Sequence, residues 1–131
     1  MRPELKNIIL QWFAKADEDL HGAEKLYHGD PLPYLGIIGF HCQQCVEKYL
    51  KAFLLYKEFE FKKIHDLETL AKHCIIFDKD FADLEFKNLT DYAVDFRYFM
   101  DEYEPDIEEI EYFMDIANKT KNLVKGKIVF E

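Results

Sequence analysis

The sequence predicts an all-α protein, an antiparallel up-and-down bundle of four long helices plus one short helix. Three observations lead there. Apolar residues recur at helical spacing along most of the chain. Only 5 Gly and 4 Pro interrupt it, too few for the many tight turns of an all-β protein. The apolar fraction is 49%, with 12 Phe and 8 Tyr, which excludes disorder and favours an aromatic-rich interior. At 131 residues the chain is expected to form one domain, residues 1–131, whose core needs neither disulfide nor metal.

The first helix is expected from Leu5 to about Tyr27, on the stripe Leu5, Ile9, Trp12, Ala16, Leu20, Ala23 and Tyr27. Ile8, Phe13 and Leu26 broaden that stripe. Pro3 suits a first turn, where its missing N–H costs nothing. Gly29-Asp30-Pro31-Leu32-Pro33 then stops the helix and turns the chain back into an antiparallel hairpin.

The second helix, about Tyr34 to Lys57 or Glu58, is the expected centre of the fold. Ile38, Cys42, Cys45, Val46, Tyr49, Phe53 and Tyr56 fall on one arc, and Leu50 and Leu54 widen it to roughly half the circumference. Gly36 and Gly39 permit close helix–helix approach at some cost in propensity. The remaining strip carries His41, Gln44 and Lys48 at i, i+3 and i+7, with Lys51 beside them.

After a loop holding Lys62 and Lys63, Asp66 can N-cap a short third helix from Leu67 to about Ile76. Asp78 or Asp80 can cap a fourth, striped by Leu89, Tyr92, Phe96 and Phe99 and ended by Pro105. Asp106-x-x-Glu109 resembles a capping box for a fifth helix that faces Ile107, Ile110, Met114 and Ala117 inward. From about Lys125 the periodicity fades into a tail whose Ile128-Val129-Phe130 can dock back.

Charge narrows the classes of partner. The net charge of −9 disfavours RNA or other nucleic acid bound by charge alone. Residues 78–111 hold thirteen Asp/Glu against three Lys/Arg, a face expected to be solvated. An anionic ligand should instead meet the side of Lys48, Lys51, Lys57, Lys62 and Lys63. No signal peptide and no apolar run approaching 18 residues is seen. Three Cys form an odd set. A cytoplasmic protein with reduced thiols, away from any membrane, is the expectation.

Four stretches carry a resemblance. They are Ala16-x-x-Asp19-Leu20-x-x-Ala23, Phe40-His41-Cys42-Gln43-Gln44-Cys45-Val46-Glu47-Lys48-x-Leu50-Lys51-Ala52, His65-Asp66-Leu67-x-x-Leu70 and Tyr92-Ala93-Val94-x-x-Arg97-Tyr98. In this order and spacing they resemble the HEPN domain (higher eukaryotes and prokaryotes nucleotide-binding) over roughly residues 8–120. The resemblance implies a bundle of four to five helices, usually a homodimer, related to the C-terminal helical domain of certain antibiotic nucleotidyltransferases. It further implies a separate minimal nucleotidyltransferase as partner protein, in a toxin–antitoxin-like pair.

Other branches of that family are metal-independent ribonucleases carrying Arg, a polar residue, about four spacers and a His. Here Arg97 is followed by Tyr98, Phe99, Met100, Asp101, Glu102, Tyr103 and Glu104, with no His before Pro105. General acid–base cleavage needs a proton acceptor as well as a cation for the phosphorane charge. No catalytic residue is therefore assigned.

Six residues form the expected ligand site for a nucleotide or nucleotide-like anion: His41, Gln44, Lys48, Lys51, His65 and Arg97. Each has a plainer role beside it. His41 can bond a neighbouring helix, Gln44 can make an inter-helix hydrogen bond, and Lys48 and Lys51 can be ordinary solvated lysines. His65 precedes a cap, where a local structural bond suffices. Arg97 can clamp a phosphate bidentately or pair with Asp95, Asp101 or Glu102. His41-Cys42-x-x-Cys45 with His73-Cys74 is not read as a metal site, because both Cys42 and Cys45 project into the apolar arc. No cofactor is expected. The leading function is thus a non-catalytic nucleotide-binding module. The alternatives are a ribonuclease with an unconventional base paired to Arg97, and a pure protein-interaction scaffold.

Overall fold

The computed structural model describes residues 1–93 and 105–131. Among them there is no strand, and the all-α bundle expected from the sequence is what the chain forms. Four α-helices are described: α1 (Pro3–His28), α2 (Leu35–Tyr56), α3 (Leu67–Phe77) and α4 (Ile107–Lys127). Pro3 opens α1 and the Gly29-to-Pro33 turn closes it, both for the steric reasons given above. Asp66 caps α3 by accepting the Thr69 N–H at 2.9 Å, and Asp106 caps α4 by accepting the Glu109 N–H at 2.8 Å.

The helix expected after Asp78 begins differently. Asp78 accepts the Asp80 N–H, but the chain then makes a 3₁₀ helix at Lys79–Asp83 and another at Leu89–Tyr92. Leu84 is extended and Lys87 adopts φ 52°, and neither conformation continues a helix. On either side of the break Phe81, Phe86 and Leu89 are all buried in the core. Phe96, Phe99 and Arg97 lie outside the described residues.

α2 is the hub, packed by α1, α3 and α4. Its arc from Ile38 through Phe53 is fully buried, and burial also extends to Gln43, Glu47 and Lys51 on the opposite side. α4 runs antiparallel to α1, since Asp17 meets Lys121 and Lys125 while Phe13, earlier in α1, meets Phe130 beyond α4. The tail docks as its apolar residues suggest, with Ile128 buried and the Phe130 ring edge-on to Phe13 at 6.0 Å. Gly39 lies where α2 meets Tyr92, and a Cβ there would stand 2.5 Å from the ring. Glu58 ends α2 in the left-handed region at φ 55°, with the Phe59 N–H returning to the Leu54 carbonyl, a Schellman turn built on a non-glycine.

Candidate functional site

Polar side chains enter the α1–α2 interface at Asp19. Its neighbours Ala16 and Ala23 are fully buried, and their small size lets the two helices approach closely. Asp19 therefore meets α2 at short range. One carboxylate oxygen lies 2.9 Å from His41 Nδ1, and the other accepts the Lys48 ammonium. Burial by itself would raise the Asp19 carboxyl, but the bonds from His41 and Lys48 outweigh it and hold the carboxyl below the usual range.

A second cluster occupies the adjoining face of α2. Glu47 accepts from Gln43 Nε2 at 2.9 Å and from Lys51 Nζ at 2.8 Å, and its Oε2 lies 2.9 Å from His65 Nδ1. Gln44 Nε2 donates to Gln43 Oε1 at 2.7 Å, extending the chain of bonds. Burial opposes the charge on Glu47, yet Lys51, His65 and Gln43 together keep its carboxyl below the usual range. His65 Nδ1 is also 3.1 Å from Lys51 Nζ. Nδ1 thus stands between an acceptor, the Glu47 carboxylate, and a donor, the Lys51 ammonium, and the ring's tautomer sets which of the two it bonds. The His65 side chain is 66% exposed, so this ring joins a buried acid to solvent.

The structure thus sorts the six expected residues into two groups and one absentee. His41 and Lys48 converge on Asp19; Gln44, Lys51 and His65 gather around Glu47; Arg97 lies outside the described residues. Lys51 is not on an open strip beside Lys48. It is buried, with its ammonium 5.7 Å from the Phe61 ring centroid, because the loop before α3 folds over it. His65 bonds to α2 rather than to its own cap.

The organising acids, Asp19 and Glu47, and the buried Gln43 stand outside the six residues expected from the sequence. A signal existed for each. Asp19 lies three residues after Ala16 and four before Ala23, flanking the buried stripe, and Gln43, Glu47 and Lys51 form an i, i+4, i+8 row.

The cysteines lie inside the apolar core. Burial pushes the Cys42 and Cys74 thiols up to about 12, and the Cys45 thiol rises for the same reason. Among the described residues no three His, Cys, Asp or Glu side chains converge as a metal-binding group. No helix among them is long and apolar enough to cross a membrane.

Comparison with known proteins agrees with this architecture. The family model of the HEPN domain matches residues 9–127. The crystal structure of ST0689, an archaeal HEPN homologue, superposes with a TM-score of 0.62 at 23% identity, covering 92% of this chain and 98% of that one. None of the curated proteins compared with the chain matches it. With the family model spanning nearly the whole bundle and its helices in place, the chain belongs to the HEPN domain family.

Proposed function

We propose that this HEPN domain is a non-catalytic module that binds a nucleotide or nucleotide-like anion on the α1–α2 face. The observation that carries the reading is the shared acid. Asp19 holds both the His41 ring and the Lys48 ammonium, so the cation is ordered in advance and still 25% exposed. An ordered cation loses less conformational entropy on meeting a phosphate than a free lysine does. Because Asp19 also neutralises part of that charge, binding is expected to be modest in affinity.

Calorimetry and chemical-shift mapping with ATP, GTP and short RNAs test the proposal. Saturable heat that is lost in Lys48→Ala supports it. Silence toward every ligand sinks it and favours the scaffold reading. The domain is further proposed to act in the cytoplasm as a homodimer beside a minimal nucleotidyltransferase, in a toxin–antitoxin-like pair. Exposed Leu32 and Tyr34 in the turn before α2, with exposed Ile37 in its first turn, support an association surface. Light scattering of the chain alone and mixed with such an enzyme checks both associations.

The Glu47–His65 pair favours one second reading, a ribonuclease in which His65 is the base. A buried carboxylate that orients an exposed imidazole is an arrangement suited to proton abstraction. Cleavage of an RNA oligonucleotide that disappears in His65→Ala but persists in His73→Ala would establish it. No cleavage by the unaltered chain would end it.

A further inference from the structure

We infer that a small groove alongside Lys48 is a stacking subsite for a single nucleobase, with Trp12 as its platform. The inference rests on the nucleotide reading above and gives it a location and a mode. Ile8, Gln11, Trp12 and Lys15 stand at i, i+3, i+4 and i+7 on one face of α1, and Lys48 crosses from α2 to close the far side. The cavity they line is about 220 Å³. Sites that enclose a whole small molecule are typically about 300–1,000 Å³. This one admits one flat ring system and leaves the rest of the ligand on the surface.

The lining has the chemistry of a nucleoside phosphate. Trp12 is only partly buried although it is the largest apolar side chain, and it is held edge-on to Phe61 with centroids 6.1 Å apart. Ile8 beside it is 44% exposed, so apolar surface continues along the groove. An indole in a solvent-reached groove offers a base the stacking that an aliphatic wall cannot. Gln11 carries both a donor and an acceptor for a base edge. Lys15 and Lys48 supply positive charge at the rim. Lys15 is only loosely held by Glu18 at 3.9 Å, which leaves it available to a phosphate.

Trp12 is the only tryptophan of the chain, so its emission reports this groove and nothing else. The experiment titrates the full chain with adenosine, AMP and inorganic tripolyphosphate, following Trp12 fluorescence and heat together. Quenching by adenosine and AMP but not by tripolyphosphate is expected. In calorimetry, Trp12→Ala should weaken AMP by roughly five- to a hundredfold. Lys15→Ala should weaken AMP while leaving adenosine unchanged.

Heat from AMP with unchanged Trp12 emission, and equal affinity in Trp12→Ala, would overturn the groove and leave nucleotide binding intact elsewhere. No heat and no quenching from any of the three would overturn both. Should Trp12→Ala not fold, Trp12→Phe keeps an aromatic platform against Phe61. Its AMP affinity should stay within about tenfold of the unaltered chain, with the adenosine quenching of the unaltered chain deciding the matter.

Discussion

Asp19 Oδ1 stands 2.9 Å from His41 Nδ1, and its second oxygen takes the ammonium of Lys48, so one acid on α1 holds two residues seven positions apart on α2. That spacing is two helical turns, which places both side chains on the same face of α2. The contact registers the α1–α2 pair as well as presenting a cation.

Replacing Asp19 by Asn should destabilise the fold by about 1–3 kcal/mol, because Lys48 and His41 lose a largely desolvated charge partner. Urea unfolding measures the loss. The double variant Asp19→Asn with Lys48→Met should recover part of it, since a partly buried cation stripped of its partner costs more than an apolar replacement. A purely additive cycle would contradict the pairing.

Two glycines of α2 should respond in opposite directions. Gly39→Ala puts a Cβ 2.5 Å from Tyr92, whose hydroxyl is tied to Glu109, and should cost about 1–3 kcal/mol. Gly36→Ala meets nothing within 4 Å and should stabilise by about 0.4–1 kcal/mol through the unfolded chain. Thermal melts of both variants check the contrast.

Glu58 holds a left-handed conformation that costs a side-chain-bearing residue roughly 1–2 kcal/mol. Glu58→Gly removes that cost but adds freedom to the unfolded chain, worth about 0.4–1 kcal/mol. A net gain of about 0.5–1 kcal/mol is expected, and the lost pair with exposed Arg2 should matter little. A lower melting temperature would argue against the Schellman assignment.

Acid should unfold the protein through its interior carboxylates. Burial tends to raise Asp17, Asp19 and Glu47, but hydrogen bonds from Tyr49, from His41 and Lys48, and from Lys51 and His65 respectively hold each below its usual range. Folded values below the unfolded ones mean that this stabilisation is complete above the ordinary carboxylate range, about pH 4–4.5. It is then lost as pH falls through the folded values. Glu47→Gln should flatten the acid limb of a stability–pH curve while lowering the neutral plateau.

The helices were legible because their signals are local. Pro3, Gly29, Asp66 and Asp106 act within a turn of where they stand, and the observed ends fall within a residue or two of those expected for α1, α2 and α3. The stretch after Asp78 was less legible, since Leu89 and Tyr92 suit a helical stripe equally well. The extended Leu84 and the left-handed Lys87 separate it into 3₁₀ turns, and the apolar stripe signals neither.

By itself the sequence determined an all-helical bundle with a buried Cys42–Cys45 side on its central helix and a polar row opposite, since periodicity decides which residues share a face. Only the tertiary structure decided what that polar row touches. Asp19 reaches His41 and Lys48, and Glu47 meets His65, through the rotation and register of one element against another. Those are fixed by packing between residues distant in the chain, which no local spacing encodes.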